Sequence, residues 1–191
     1  CSDGVLHSLS NTVVDASSLC RCILDGWIMG QGVSLPDSYN LIAYESLGST
    51  NDEALVLAPS SPDKTVIWAL EQTAARGRRG RAWHAPKGNV YCSIILKPKV
   101  SAIECSQLGY LASLSIFDAL KELCPDDSSA TCKWPNDVLL NGKKISGILL
   151  ETSFTDSTAP DWIILGVGIN VNEHPQDTPY PATSMTNEGS T

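Results

Sequence analysis

Lys133-Trp134-Pro135-Asn136-Asp137-Val138-Leu139-Leu140-Asn141-Gly142-Lys143-Lys144-Ile145-Ser146-Gly147-Ile148-Leu149 reads as a chain folded back on itself. Asn141-Gly142 between two apolar runs is the strongest short hairpin signal, since both residues accept the positive φ of a tight turn. Residues 131–134 lead in as a further short strand. The spacing puts Lys144 near the start of the second hairpin strand and Gly147 further along it, where a missing side chain lets a ligand approach the backbone. Asn136 and Asp137, at a strand-to-turn junction, are either plain turn formers or polar groups offered to a ligand. Lys133 and Lys143 read as ordinary solvated lysines.

Some fifty residues upstream lies Arg76-Gly77-Arg78-Arg79-Gly80-Arg81-Ala82-Trp83, with four arginines and two glycines beside an aromatic. Guanidinium forks and unobstructed backbone amides suit phosphate and carboxylate oxygens, and the indole suits a flat base. The plainer reading is a solvated patch that attracts nucleic acid; the interleaved glycines and Trp83 favour a ligand loop. Like charges with little apolar surface predict a loop that is mobile when empty and ordered by anions. Residues 65–70 are apolar and β-branched, a strand that delivers Glu71-Gln72-Thr73 into the loop. Residues 40–44 read as a short strand. Thr50 with Glu53 three positions on has the form of a capping box, predicting a helix over 51–57 that stops before Pro59. Ser49 and Thr50 either cap that helix or also present hydroxyls that donate and accept.

Val90, Cys92, Ile94 and Leu96 alternate as a strand within residues 88–96, ended by Pro98. Ser101 with Glu104 forms a second capping box and predicts one long amphipathic helix ending near Pro125, with Leu108, Leu111, Ile116, Ala119, Leu120 and Leu123 on its packing side. Residues 162–171 are a buried strand with Gly166 and Gly168 near its end, again a mark of close approach by a ligand.

With 191 residues and 42% hydrophobic content the chain can bury a substantial core, and one domain is expected. A net charge of −8 argues against broad nucleic-acid or anionic-membrane binding, so the arginine loop is a local positive island. No apolar run approaches the roughly 20 residues of a membrane-spanning helix. Seven cysteines, Cys1, Cys20, Cys22, Cys92, Cys105, Cys124 and Cys132, form an odd set without a C-x-x-C pair, suggesting neither a zinc site nor a closed disulfide framework. Cys92 and Cys105 read as buried thiols, which fits a cytoplasmic location. His7, His84 and His174 are scattered and belong to no nucleophile motif. Residues 1–28 lack an initiator Met, and Arg21, Asp25 and Gly26 interrupt what would be a signal-peptide core; Met29 is the expected natural start.

At the arginine loop, at Lys133-Trp134-Pro135-Asn136-Asp137 and at Lys144-Ile145-Ser146-Gly147-Ile148-Leu149, the sequence resembles the biotin protein ligases, whose signatures are a GRGRRGR-W-type loop and a KWPND followed by K-x-x-G-I-L. The resemblance covers residues 39–185. It implies an α+β fold, a mixed central β-sheet with helices packed against it, akin to lipoate ligases and class II synthetases. It implies ATP-dependent activation of biotin as biotinyl-5'-AMP and transfer to a lysine of a biotin carboxyl carrier protein or carboxylase carrier domain, with Mg2+ on the ATP phosphates. Carried over residue by residue, Ser49, Thr50, Asn51, Gln72, Arg76, Gly77, Arg78, Lys144 and Gly147 would bind biotin. Arg78, Arg81, Trp83, Asn136, Asp137 and Asn170 would bind the nucleotide, Asp137 with a part in holding Mg2+, and Arg78 and Lys144 would be catalytic. The family often has Gly where this chain has Ala75, a change that bears on loop closure.

The expected organisation is an amino-terminal extension over residues 1–36 and a catalytic domain over 37–191, with the family's further helices and small β-barrel apparently missing. About 36 residues are too few for a winged helix-turn-helix plus linker, so a repressor role is not expected. Nucleic-acid and membrane partners are not expected either, and a homodimer is left open. The rival readings are a lipoate-protein ligase, an inactive biotin-binding fragment, and a nucleic-acid-binding module that uses the arginine loop.

Overall fold

The computed structural model describes residues 35–155 and 159–190. The expected extension over residues 1–36, with Met29 in it, lies outside the described residues except for its last two positions. In chain order the elements are β1 (Asn40–Leu47), α1 (Thr50–Leu57), β2 (Thr65–Gln72), β3 (Val90–Leu96), α2 (Ala102–Cys105), α3 (Leu108–Leu123), β4 (Ala130–Lys133), β5 (Asp137–Leu140), β6 (Lys143–Ser153) and β7 (Trp162–Ile169), with short 3-10 turns at Arg78–Gly80 and Thr186–Glu188. The strands form one sheet in the order β1-β2-β3-β7-β6-β5-β4. β1 and β2 run parallel and the other neighbours antiparallel, so the sheet is mixed, as the α+β expectation has it.

Alternation along the central strands sorts the core into two faces. Val66, Trp68, Cys92, Ile94, Leu165, Val167 and Ile169 pack against Ala112, Ile116, Ala119 and Leu120 of α3. Ile67, Ile95 and Ile164 point the other way, onto Ala54 and Ala58 at α1. Covered on both faces, these strands read as unbroken apolar runs. Each fully buried side chain of this kind contributes about 1.5–3 kcal/mol. On the α1 side the helix covers one end of the sheet, with Asn51 resting on Gly166; toward the other end Gly147 and Gly168 put no side chain on this face.

The Asn141-Gly142 turn forms as read, with φ of 50° and 75°. Two helix starts differ from the sequence reading. Ser49 is the cap of α1, its backbone extended and its hydroxyl accepting from Asp52 N, whereas Thr50 is the first helical residue. The expected reciprocal partner, Glu53, instead accepts from the Tyr44 hydroxyl at 2.8 Å. The Ser101/Glu104 box is present, but the single long helix is broken. Ser106 Oγ donates back to Ile103 O at 2.6 Å and Gln107 N takes Glu104 O, a tightened turn that ends α2 before α3 begins. Leu111 and Leu123 are only partly buried, at the flank of the packing face.

Candidate active site

The three glycines form a floor on the α1 side of the sheet, and Trp83 lies on it. A Cβ added at Gly168 would meet Trp83 Nε1 and Cε2 at 2.9 Å, one at Gly147 would meet its Cζ3 at 3.0 Å, and one at Gly166 would overlap the Asn51 amide. The sequence reading expects a ligand to approach the backbone at these glycines; in the structure the groups that approach are the chain's own, the Trp83 indole at Gly147 and Gly168 and the Asn51 amide at Gly166. Two adjoining cavities of about 330 Å³ each open over this floor. The first is lined by Ser49, Thr50, Asn51, Gln72, Arg78 and Asn136 among others. The second includes Asn170, His84, Asp177 and Thr178. Trp83, Lys144 and Tyr180 border both.

The inner wall of the first cavity is a chain of polar groups at the amino end of α1. Gln72 Oε1 accepts from Thr50 N at 2.7 Å and from the Thr50 hydroxyl at 3.1 Å. Ser93, wholly buried on β3, has its Oγ 2.8 Å from Thr50 Oγ1 and 2.6 Å from Asn51 Oδ1. Asn51 Nδ2 donates to Glu151 Oε2 at 2.8 Å. Burying polar groups this deeply is tolerable because each is bonded, and the bonding fixes which atoms face the cavity. Asn51 lines the cavity, but both ends of its amide are engaged with the protein.

The arginine loop is a small hairpin. Arg76 bridges to Ala82 across it, Gly77 N donates to Arg81 O at 2.7 Å and Trp83 N to Ala75 O at 2.9 Å. The turn takes two consecutive left-handed residues, Arg79 at φ 60° and Gly80 at φ 70°. Arg78, Arg79 and Arg81 are exposed; Arg78 reaches across to Asn136 Oδ1 at 3.0 Å. Arg76 is spent on carboxylates: its guanidinium meets Glu151 through two nitrogens, at 3.0 and 2.9 Å, and Asp52 through two, at 3.1 and 2.7 Å. Glu151 chiefly, then Asp52, push its pKa above the ordinary value against the opposing effect of burial. The Ala75 methyl packs with Ala85, Tyr91 and Trp83, so the departure from Gly adds to the small cluster under the loop.

Lys144, with its side chain 13% exposed, donates to Asp137 Oδ1 at 2.6 Å. Its ammonium also lies 5.2 Å from the Trp83 ring centroid and 5.3 Å from that of Tyr180, a cation held between two aromatic faces. Asn136 braces the mouth, donating from Nδ2 to Ile148 O while its carbonyl takes Ile148 N. Asn170 donates from Nδ2 to Thr183 O, which fixes the amide and leaves Oδ1 buried without a partner. Trp83 Nε1 is likewise buried and unpaired.

The sequence-read residues Ser49, Thr50, Asn51, Gln72, Arg76, Gly77, Arg78, Arg81, Trp83, Asn136, Asp137, Lys144 and Gly147 all line the first cavity, and Asn170 lines the second. Sequence reading missed Ser93, Glu151, Asp52 and Tyr180. Asp52 stood beside a chosen residue and Glu151 just past the glycine motif, but neither carries a local signal; Ser93 sits inside an apolar strand, and Tyr180 arrives through Lys144 N donating to Pro181 O.

Known proteins are similar to this chain in sequence and in fold. The sequence model of the biotin/lipoate A/B protein ligase family matches residues 44–170. A biotin–[acetyl-CoA-carboxylase] ligase of Paracoccus denitrificans is 46% identical over 124 residues, which is 65% of this chain and 50% of that protein. The bifunctional ligase/repressor BirA of Bacillus subtilis is 39% identical over 142 residues, 73% of this chain and 43% of that protein. The chain thus spans about half the length of the curated relatives it matches. A biotin protein ligase from Aquifex aeolicus, solved in complex with biotin and ATP, superposes with a TM-score of 0.64 at 33% identity, covering 80% of this chain and 62% of that one.

Proposed function

The chain belongs to the biotin/lipoate A/B protein ligase family, and from that premise we propose that its site activates biotin with ATP as biotinyl-5'-adenylate and passes the biotinyl group to a lysine of a biotin carboxyl carrier domain. The observation that carries the reading is Lys144, a nearly buried ammonium on the border of two cavities. One cavity offers neutral hydroxyl and amide groups, and the other a buried acceptor and an aromatic face.

Biotin's ureido ring, with one carbonyl and two N–H groups, suits the wall of Ser49, Thr50 and Gln72, whose groups both donate and accept. Its carboxylate would then extend toward Lys144. The second cavity suits adenine: the unpaired Asn170 Oδ1 can accept from an exocyclic amine, and Trp83 Nε1 can donate to a ring nitrogen. In the first step a carboxylate oxygen of biotin attacks the α-phosphorus, the bond to the bridging β-oxygen breaks and pyrophosphate leaves. Two anions must meet, and Lys144 and Arg78 lower that barrier by holding fixed positive charge where negative charge gathers. In the second step the neutral amine of the acceptor lysine attacks the acyl carbon, AMP leaves and the nitrogen releases a proton. The folded-over loop keeps water from the mixed anhydride between the steps.

Mg2+ would come with the ATP phosphates and supply charge neutralisation on the departing pyrophosphate. Among the described residues no group of three or more His, Cys, Asp or Glu could hold a metal. Phosphate oxygens and water therefore fit as its main ligands, with Asp137 offering the oxygen that Lys144 leaves free. A homodimer is not required by this chemistry. Among the described residues no helix is long and apolar enough to cross a membrane, and the free thiols Cys92, Cys105, Cys124 and Cys132 support work in the reducing cytoplasm.

The test is exchange of labelled pyrophosphate into ATP with biotin, with lipoate and without acid. Exchange with biotin alone is expected. Exchange with lipoate alone, or none in a sample that still binds biotin, would overturn the reading.

A further inference from the structure

We propose that Glu151 is a positioning residue of this site, a single carboxylate that sets the geometry of the arginine loop and of the inner wall together. It lies on β6 on the same face as Gly147 and Leu149, just behind the first cavity and outside its lining. Both of its oxygens are used. Oε1 accepts from Arg76 Nη1 at 3.0 Å; Oε2 accepts from Arg76 Nη2 at 2.9 Å and from Asn51 Nδ2 at 2.8 Å. Arg76 is the entry residue of the loop hairpin, and Asn51 is the second residue of α1.

Arg76 is thereby removed from the substrate's reach as a cation. Its guanidinium presents a fork that matches a carboxylate in the bidentate way, and that match is taken by Glu151 while Asp52 closes the other side. Two negative charges answer its one positive charge, so an incoming carboxylate would meet repulsion at Arg76. The residue works as a strut that pins the start of the loop to β6 and α1. Through Asn51 the same carboxylate braces Ser93 and Thr50, and so the hydroxyls of the cavity wall. Gly166 lies under the Asn51 amide with no room for a methyl, so Asn51 is confined from below as well.

This assignment rests on the biotin-activating reading for its kinetic consequence but not for its structural one, and two measurements separate them. Trypsin cleaves after Arg78, Arg79 and Arg81, all in the loop, so the rate of cutting there in ligand-free protein reports how firmly the loop is pinned. Glu151→Gln, which keeps the size and removes the charge, is expected to speed loop cleavage and to raise the KM for biotin by about tenfold to a hundredfold, the worth of a charge-assisted hydrogen bond. The KM for ATP and the thermal midpoint should stay close to those of the unaltered protein. Arg76→Ala should give the same two changes, and adding it to Glu151→Gln should add little, because one linkage is broken once. Unchanged loop cleavage in Glu151→Gln would overturn the proposal. So would a lowered midpoint with fewer active molecules at an unchanged biotin KM, the pattern of a merely structural residue. If the unaltered chain shows no biotin-dependent exchange, the functional reading fails while the cleavage comparison still decides the strut.

Discussion

Gly168→Ala adds one methyl group where the indole of Trp83 already lies. The new Cβ would stand 2.9 Å from Cε2 and Nε1 and 3.1 Å from Cζ2. Non-bonded heavy atoms sit best at roughly 3.5–4.0 Å, so the ring must retreat by about 0.6–1 Å. β7 cannot give way instead, because Gly168 is paired with Tyr91 of β3 on one side and Gly147 of β6 on the other. The ring therefore lifts off the floor, and Lys144, which lies 5.2 Å from its centroid, loses its aromatic seat. Backbone strain plays no part, since Gly168 has no left-handed φ. Ala even relieves the roughly 0.5–1 kcal/mol that Gly costs in a strand, so stability should change by no more than about 1 kcal/mol. Displacing a reacting group by about 1 Å can cost about a hundredfold in rate. Biotin-dependent pyrophosphate exchange should then fall tenfold to a hundredfold, with a thermal midpoint within about 4 °C of the unaltered protein. Gly109→Ala in α3, where an added Cβ meets nothing within 4 Å, is the control and should leave exchange unchanged. Exchange within threefold of normal in Gly168→Ala would refute the claim that the glycine floor sets the position of Trp83.

Lys144→Ala should lower exchange by about a hundredfold to a thousandfold, the usual cost of removing one charge-stabilising group; the circular dichroism spectrum should not change. Glu188 accepts from Thr183, from Asn141 at 2.7 Å and from Lys143 at 2.9 Å, and these bonds, Thr183 first, hold its carboxyl down at about 2 from an ordinary 4.5. A depressed pKa gives stability that is complete above about 4.5 and lost as the pH falls toward 2, so Glu188→Gln should flatten the acid limb of a midpoint-versus-pH curve across that window. Ile116→Ala, at a wholly buried position of α3, should lose about 2–5 kcal/mol in urea unfolding and leave the biotin KM of the folded fraction unchanged.

What was legible in the sequence was local. The Asn141-Gly142 turn, the β-branched run into Gln72 and the glycines near the end of β7 each carry a physical signal within a few residues, and each element formed. The arginine loop and the lysine hairpin could be matched to a family because both signals are contiguous. Element ends were less legible, because tertiary partners decide them. Glu53 would have closed a capping box had Tyr44 not taken its carboxylate, and one long helix became α2 and α3 through a hydroxyl at Ser106. Sequence-distant partners were not legible at all: Glu151 meets Arg76 across 75 positions and Asn51 across 100.

The site holds less free positive charge than its arginine count suggests. Arg76 is answered by Asp52 and Glu151, and Lys144 by Asp137. Arg78 meets a neutral amide, and Arg79 and Arg81 lie exposed. An ammonium buried as far as Lys144 would be expensive without a partner, and Asp137 together with two aromatic faces offsets that cost. The two paired cations differ in how they are held. Arg76 is gripped by four bonds, and a substrate anion would have to displace two carboxylates to reach it. Lys144 has one carboxylate contact, at 2.6 Å, and an incoming phosphate or carboxylate oxygen can take its place in a single exchange, freeing Asp137 for whatever cation travels with the nucleotide. On the proposed reading the half-buried arginine therefore serves the shape of the site and the lysine its chemistry, while the exposed arginines would draw anions to a chain whose net charge of −8 would otherwise repel them.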